Sequence, residues 1–138
     1  MITVSKGDVW FVEFPQGVGH EQAGARTAVV LAQEKKTGMV IVAPTTKNLD
    51  SETLDYTYPV IPSRENGLDL ESVVLIHQLE SSDKKRFIRK FGRLEKKDID
   101  ALDAILLEMF KLTPKTEKIA TTTNTVGKNE DATEQTEK

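Results

Sequence analysis

The chain has 138 residues, a formal net charge of −3, two histidines and no cysteine. This length fits one domain with a tail, and the lack of cysteine excludes disulfides, thiolate-bound metals and a cysteine nucleophile. The N-terminus lacks the apolar stretch of a signal peptide, and no apolar run reaches the ~20 residues that span a bilayer. We therefore expect a soluble, cytoplasmic protein that uses no cofactor, binds no metal and does not contact a membrane.

The composition changes near residue 112. Residues 113–138 are rich in threonine and in charged residues and contain no aromatic side chain. Such a segment buries too little apolar surface to offset the entropy that it would lose on ordering. We therefore predict a folded domain over residues 1–112 and a disordered, threonine-rich polar tail over residues 113–138.

The hydrophobic pattern of the folded part predicts about six short strands. They lie at residues 9–14, 26–33, 39–43, 56–61, 72–79 and 91–94. Prolines end the first and third of these runs at Pro15 and Pro44, and Pro59 favours an edge position for the fourth strand. The run over residues 72–79 is the most hydrophobic, so we predict a central position for that strand.

Two helices complete the prediction. A short one over residues 83–89 has Ser81 or Ser82 as a capping residue. A longer one over residues 96–111 carries apolar side chains at three- and four-residue spacing and ends before Pro114. The hairpin-length connections favour antiparallel pairing. The predicted fold class is mainly β with α: a small, strongly curved antiparallel sheet or open barrel with the helices packed outside it.

A series of short motifs runs in a fixed order along this domain. They are GDVW, GHEQAGAR, VAPTT, DLESVVL, SDKKR and GRL, which begin at residues 7, 19, 42, 69, 82 and 92. Together they resemble the MazF/PemK/Kid toxins, which are the mRNA interferases of type II toxin–antitoxin modules. The resemblance extends over about residues 3–110.

This resemblance implies an SH3-like barrel of the MazF–CcdB type that forms a homodimer. It also implies a sequence-specific, metal-independent endoribonuclease that cuts single-stranded RNA, in most cases mRNA, by attack of the 2′-OH on the adjacent phosphate. The resemblance further implies that a cognate antitoxin neutralises the protein by laying a flexible segment across the toxin dimer.

The resemblance places Arg26 and Thr46 at the positions of the family's catalytic arginine and threonine. Arginine suits phosphate chemistry because its planar fork grips two oxygens and stays charged. A threonine hydroxyl can donate to a non-bridging phosphate oxygen. Thr45 adjoins Thr46, and a shift of one residue would exchange their roles. Outside this motif, Arg26 would be interpreted as a solvated strand-start residue and Thr46 as a turn residue.

A further group must accept the proton of the 2′-OH, because arginine does not lose its own proton in proteins. Two residues of the loop before Arg26 are predicted to be catalytic in this way, namely His20 and Glu21. His77 is a third candidate. The alternatives are an exposed loop histidine for His20 and a core or interface histidine for His77.

Further residues near the motifs are predicted to contact RNA. They are Phe14, Gln22, Thr45, Lys47, Tyr56, His77 and Gln78. Phe14 and Tyr56 lie at strand ends, where aromatic rings can stack on unpaired bases. The basic cluster over residues 84–93 either contacts phosphates or forms a solvated helix face that is paired with acids of the last helix.

Two residues depart from the family pattern. His77 stands where many relatives carry glutamate, and Glu80 stands where relatives often carry arginine. These departures affect the expected sequence preference, and they keep open the alternative of a degenerate family member that only binds an antitoxin. A second alternative is a non-catalytic inhibitor of DNA gyrase with the same fold, similar to CcdB.

Overall fold

The computed structural model describes residues 2–112, and the predicted tail over residues 113–138 lies outside them. Within the described residues, the chain forms seven β-strands and one α-helix. They are β1 (Asp8–Phe14), β2 (Gly24–Glu34), β3 (Met39–Thr46), β4 (Thr57–Val60), β5 (Ser72–Leu75), β6 (Glu80–Asp83), β7 (Phe87–Arg93) and α1 (Lys96–Met109). Short 3₁₀ helices lie at Leu49–Thr53, Ile76–Gln78 and Lys84–Arg86.

The strands form one sheet in the order β4-β5-β3-β2-β1-β7, and β6 pairs with β3 beside β5. Every pairing is antiparallel. The path ends at β4 and β7, so the sheet is open and is a barrel only in a loose sense. This arrangement confirms the predicted mainly-β class with a C-terminal helix, and it confirms the edge position of the strand that contains Pro59.

A core cluster lies on each face of the sheet. Successive side chains of a strand point to opposite faces, so Val9 joins one core cluster whereas Trp10 joins the other. Helix α1 covers the first cluster through Leu102, which is 2% exposed. The second cluster includes Phe87, whose ring meets Trp10 edge-on at 5.5 Å between centroids.

The predicted helix over residues 83–89 is wrong. The Asp83 carboxylate accepts a hydrogen bond from the Lys85 backbone N–H at 2.9 Å, but it caps only one 3₁₀ turn. The chain then enters β7, which pairs with β1 and buries Phe87. This long-range pairing satisfies more backbone groups than a two-turn helix does, and it lengthens the strand predicted at residues 91–94. The seventh strand is β6, which the sequence reasoning missed and which pairs with β3.

Two predicted strand ends are also wrong. Strand β3 continues through Pro44 to Thr46, because on one edge it pairs with β6 up to Val42 and with β5 from Thr45 onward. Pro44 lies between these two partners, so its missing N–H breaks no bond on that edge. Strand β5 ends at Leu75 rather than at residue 79, and the following 3₁₀ turn begins at Ile76, whose N–H bonds the Tyr56 carbonyl at 3.0 Å. Its predicted interior position, between β4 and β3, is confirmed.

Tyr58 ties β4 to α1. Its hydroxyl donates to Oδ1 of Asp98 at 2.6 Å, and Asp98 is 6% exposed. Burial, together with the hydrogen bond to Asp98 and its nearby charge, raises the pKa of Tyr58 to about 12. The folded state therefore favours the neutral phenol. This contribution to stability is complete below pH 10 and is lost as the pH rises through about 12.

We expect Tyr58→Phe to lower the free energy of unfolding by about 1.5–3 kcal/mol at pH 7.5, because the substitution removes a hydrogen bond to a buried carboxylate. Urea unfolding measures the loss, and Tyr56→Phe is the matched control. Absorbance titration of the Tyr56→Phe variant should show its remaining tyrosine, Tyr58, ionising near pH 12. A Tyr58→Phe variant as stable as the unmodified protein would contradict this role.

Candidate active site

A cleft of about 480 Å³ opens where the start of β2 meets the end of β3. We call it the Arg26 cleft. Strands β1 and β7 and the loop before β5 complete its walls. The lining residues that carry functional groups or rings are Phe11, Arg26, Thr27, Thr45, Thr46, Lys47, Asp69 and Phe91. The structure thus brings together four of the residues that the sequence predicts to cleave or contact RNA: Arg26, Thr45, Thr46 and Lys47.

Backbone carbonyls hold the guanidinium of Arg26. Its Nη1 donates to the Thr45 carbonyl at 3.3 Å, and its Nη2 donates to the Ala23 carbonyl at 3.1 Å. Over residues 2–112, no carboxylate lies within salt-bridge distance of this guanidinium, and its buried Nε has no hydrogen-bond partner. Arg26 is therefore oriented by neutral groups and keeps its positive charge for an anion in the cleft.

The two neighbouring threonines have different environments. Thr45 is 4% exposed, and its hydroxyl bonds both the hydroxyl and the carbonyl of Thr27. Thr45 thus lines the Arg26 cleft and supports Arg26 through its carbonyl, while its own hydroxyl is already engaged, and its contact with RNA stays a prediction. Thr46 is half-buried at the cleft, and its hydroxyl accepts a hydrogen bond from the Asn48 N–H at 3.2 Å. The Thr46 hydroxyl proton is free to be donated to a ligand.

The predicted stacking residues do not lie in this cleft. Phe14 is 2% exposed within the second core cluster, so the prediction that it contacts RNA is wrong. Tyr56 is half-buried and lines a separate hollow beside α1. The rings at the cleft are Phe11 and Phe91, which stack with centroids 5.9 Å apart. The period-two pattern of β1 was the available signal, since Phe11 alternates with the core residues Trp10 and Val12.

The rim of the Arg26 cleft carries an ion pair that the sequence reasoning missed. Lys47 Nζ lies 3.4 Å from Oδ1 of Asp69, and both side chains are more than half exposed. Asp69 lies just before β5 and Lys47 just after β3. The two residues are far apart in the sequence, and the pairing of β3 with β5 brings them together. A carboxylate is thereby brought to the wall that also carries Arg26 and Thr46.

A second cleft, of about 320 Å³, is lined by other residues that the sequence predicts to be functional, and Arg26 is not among them. We call it the Glu80 cleft. Its polar lining residues include Glu21, Gln22, His77, Gln78 and Glu80. The imidazole of His20 is exposed, and this residue lines neither cleft. The two predicted proton acceptors of the β1–β2 loop therefore do not share a cleft with Arg26.

The side-chain amide of Gln78 connects the two walls of the Glu80 cleft, and the carboxylates of Glu21 and Glu80 repel each other within it. Gln78 accepts from the Gln22 N–H at 2.9 Å and donates to the His20 carbonyl at 3.1 Å, so it joins the loop to the segment after β5. Burial, and next the nearby charge of Glu21, raise the pKa of Glu80 above its usual value, while Arg86 opposes the shift.

The basic cluster over residues 84–93 does not pair with acids of the last helix, so that interpretation is wrong. Lys90 and Arg93 lie 3.6 and 3.5 Å from Oδ1 of Asp8, which is 1% exposed. The acids of α1 instead pair elsewhere, as Asp103 does with Lys6 at 2.8 Å. Arg89, Lys90 and Arg93 lie along β7, an edge strand beside the Arg26 cleft, whereas Lys84, Lys85 and Arg86 form the 3₁₀ turn before it.

The described part of the chain shows neither a metal-binding cluster of side chains nor a membrane-spanning helix. Residues 2–112 contain no group of three or more histidine, aspartate or glutamate side chains placed to hold a metal ion. None of the helices in that range is long and apolar enough to cross a bilayer.

The sequence of the chain is similar to that of a known toxin family and to that of a named endoribonuclease. Residues 5–110 match the model of the family described as PemK-like, MazF-like toxin of type II toxin–antitoxin systems. The chain is 30% identical over 106 residues to Endoribonuclease EndoA of Bacillus subtilis (strain 168), an alignment that covers 75% of this chain and 90% of that protein.

Solved structures share the fold. The crystal structure of MazF (Form-I) from Deinococcus radiodurans superposes with a TM-score of 0.68 at 21% identity, over 81% of this chain and 100% of that chain. An endoribonuclease solved in complex with its cognate antitoxin, from a mycobacterial species, gives a TM-score of 0.62 at 16% identity, over 81% and 99% of the two chains. These similarities confirm the predicted architecture.

Proposed function

The chain belongs to the PemK-like, MazF-like toxin family of type II toxin–antitoxin systems, and we propose that it is an endoribonuclease that cuts single-stranded mRNA in the Arg26 cleft. The observation that carries this proposal is the guanidinium of Arg26, which two backbone carbonyls hold and no described carboxylate neutralises. A relative at 30% identity that is named an endoribonuclease supports the same activity.

The cleft supports cleavage through the 2′-OH of the RNA itself. That nucleophile is already next to its phosphate, so the protein has to stabilise added negative charge and move protons. Arg26 contacts two oxygens of the phosphate, and Thr46 donates its hydroxyl proton to a non-bridging oxygen. Donors fixed in advance in this way typically contribute ~3 kcal/mol or more to transition-state stabilisation. The expected products carry a 2′,3′-cyclic phosphate and a 5′-OH, and no step requires a metal ion.

The proton acceptor is a separate assignment. His20 and Glu21 stay predictions for this role, and both would need the β1–β2 loop to move toward the phosphate. Asp69 joins them because its carboxylate lines the Arg26 cleft itself. The pH dependence of kcat in separate His20→Gln, Glu21→Gln and Asp69→Asn variants distinguishes these candidates, since only loss of the true base removes the acidic limb.

The proposed partners are a cognate antitoxin and a second copy of the chain, acting in the cytoplasm where mRNA is found. Exposed apolar side chains near the end of α1 support a surface that another protein covers. They include Leu107, Phe110 and Leu112, which are 41%, 57% and 59% exposed. A related endoribonuclease is described as a complex with its cognate antitoxin, which supports the same arrangement here.

The alternatives explain fewer features of the site. A CcdB-like inhibitor of gyrase has no use for an oriented arginine and a free threonine hydroxyl in one cleft. A degenerate member would be expected to lose these groups. The two departures from the family pattern, His77 and Glu80, line the Glu80 cleft and leave Arg26 and Thr46 in place.

We expect Thr46→Val to lower kcat for RNA cleavage about 10²-fold with little change in stability, because the half-buried hydroxyl donates only to the substrate. Thr45→Val, the matched control, should instead lower the free energy of unfolding by about 1–3 kcal/mol, since it leaves the hydroxyl of Thr27 without its partner. Steady-state kinetics and urea unfolding measure both. Equal kcat in Thr46→Val and the unmodified protein would remove Thr46 from the mechanism.

A further inference from the structure

Arg89 is an exposed cation of β7 that the fold orients but does not neutralise. Its guanidinium carbon lies over the ring of Phe91, 4.5 Å from the ring centre. The next cations along the strand, Lys90 and Arg93, lie beside the Asp8 carboxylate. Arg89 itself forms no salt bridge within the described part of the chain. Because a ring holds the guanidinium without cancelling its charge, its N–H groups stay available for an anion.

The strand register places Arg89 beside the Arg26 cleft. Arg89 pairs with Phe11 of β1, and Phe11 pairs with Thr27 of β2. Paired residues present their side chains on the same face of a sheet, and both Phe11 and Thr27 line the Arg26 cleft. Neighbouring strands are separated by about 4.8 Å, so the backbone of Arg89 lies about 10 Å from that of Thr27. A single RNA strand bound in the Arg26 cleft can therefore reach Arg89 within a few nucleotides.

A hollow of about 210 Å³ continues the Arg26 cleft toward the edge of the sheet. We call it the Arg89 hollow, and its lining residues are Gly67, Asp69, Arg89, Lys90 and Phe91. Asp69 and Phe91 also line the Arg26 cleft, so the two spaces share a wall. The carboxylate of Asp69 lies 3.4 Å from Lys47 Nζ, and this pairing offsets its charge. The Arg89 hollow thus keeps the positive charge of Arg89.

Aromatic rings form the surface between the two spaces. Phe11 and Phe91 are half-buried, and their rings stack with 5.9 Å between centroids and 5° between planes. Unpaired bases stack on aromatic rings and on guanidinium planes with little regard to base identity. A surface of two rings and one stacked guanidinium therefore offers contacts for both the base and the phosphate of a single strand.

We propose that the Arg89 hollow binds the RNA strand a few nucleotides away from the cut phosphate, where Arg89 contacts a phosphate oxygen and a base lies against Phe91 and Phe11. Such a contact makes the affinity depend on the length of the RNA and not on the base sequence of the added part. The inference rests on the proposed nuclease function and adds a second contact region for the same substrate.

Cleavage of two RNAs of different length tests this inference. Both carry the mapped cut motif, one within about 5 nucleotides and the other at the centre of about 16. Arg89→Ala should raise KM for the long RNA about tenfold, because it removes a phosphate contact and a stacking plane. It should leave KM for the short RNA and kcat for both RNAs unchanged. Arg64→Ala, which removes an exposed arginine of the loop after β4, is the matched control and should change neither KM.

Salt dependence separates a phosphate contact from a change in packing. A long RNA with 2′-O-methyl groups cannot be cleaved, so its Kd can be measured directly. For Arg89→Ala, the plot of log Kd against log salt concentration should be shallower by about 0.7, the value for one phosphate contact on a single strand. Phe91→Leu should weaken binding about fivefold and keep the slope, because it removes a ring and retains the charge.

An unchanged KM for the long RNA in Arg89→Ala would overturn the inference and leave the nuclease function intact. If that variant instead lost binding to the antitoxin while both KM values stayed the same, the Arg89 hollow would belong to a protein partner and the inference would again be wrong. Failure of the unmodified chain to cut either RNA would remove the proposed function, and the inference with it.

Discussion

Arg26→Ala should lower kcat for cleavage of a short fluorescent RNA by about 10²–10³-fold, with little change in fold. Two backbone carbonyls orient the positively charged guanidinium of Arg26 within the cleft. Alanine has no charged group, so the Arg26→Ala variant loses the stabilisation of the negative charge that develops on the phosphate. Arg26→Lys should recover only a small part of the rate, because an ammonium does not reproduce the planar two-oxygen grip.

Two controls separate chemistry from folding in this experiment. Arg64→Ala removes an exposed arginine of the loop after β4 and should leave kcat unchanged. The Arg26→Ala protein should also unfold at nearly the same urea concentration as the unmodified chain and should still bind its antitoxin. Full activity in Arg26→Ala would mean that the cleavage site lies elsewhere.

Phe14→Ala is expected to lower the free energy of unfolding by about 3–5 kcal/mol, which is a large share of the stability of a domain this size. The side chain is 2% exposed and packs in the cluster that also holds Trp10 and Phe87. Truncation removes its buried apolar surface and leaves a cavity that the surrounding strands can only partly close. Urea unfolding followed by Trp10 fluorescence measures the loss.

Phe11→Ala is the matched comparison, because Phe11 lies on the same strand β1 but on its other face, where it lines the Arg26 cleft and stacks on Phe91. That variant should lose less stability and should show a higher KM for RNA, whereas Phe14→Leu should retain most of the stability and an unchanged KM. A Phe14→Ala protein that stays fully stable and binds RNA weakly would restore the stacking role that its burial excludes.

Local sequence signals predicted the parts of the fold that depend on neighbouring residues. The apolar spacing of residues 96–111 identified α1, and the β-branched runs identified most of the strands. The prediction of a helix over residues 83–89 failed because Ser81 or Ser82 can cap a helix, yet in the fold the segment from Phe87 onward pairs with β1, about 80 residues earlier in the chain. Pro44 failed for a similar reason, since the change of partner along β3 is invisible in its own sequence.

In the candidate site, too, the sequence predicted what depends on local motifs and missed what depends on long-range contacts. The motif around Arg26 and the threonine at the end of β3 were sufficient to predict that they meet in one cleft. Sequence order could not reveal that Glu21 and His77 share a different cleft, because Gln78 joins two segments more than 50 residues apart. The alternation along β1 places Phe14 on the face of Trp10 and Val12 and Phe11 on the other face, a signal that the prediction of stacking at Phe14 did not use.

Incubation with long single-stranded RNA in EDTA tests the central claim most directly. The purified chain should produce discrete fragments with 2′,3′-cyclic phosphate and 5′-OH ends, and the Arg26→Ala variant should leave the RNA intact under the same conditions. Identification of the ends by enzymatic labelling and sequencing would also give the cut motif. RNA that remains intact with the unmodified chain, or equal cutting by the Arg26→Ala variant, would contradict the account.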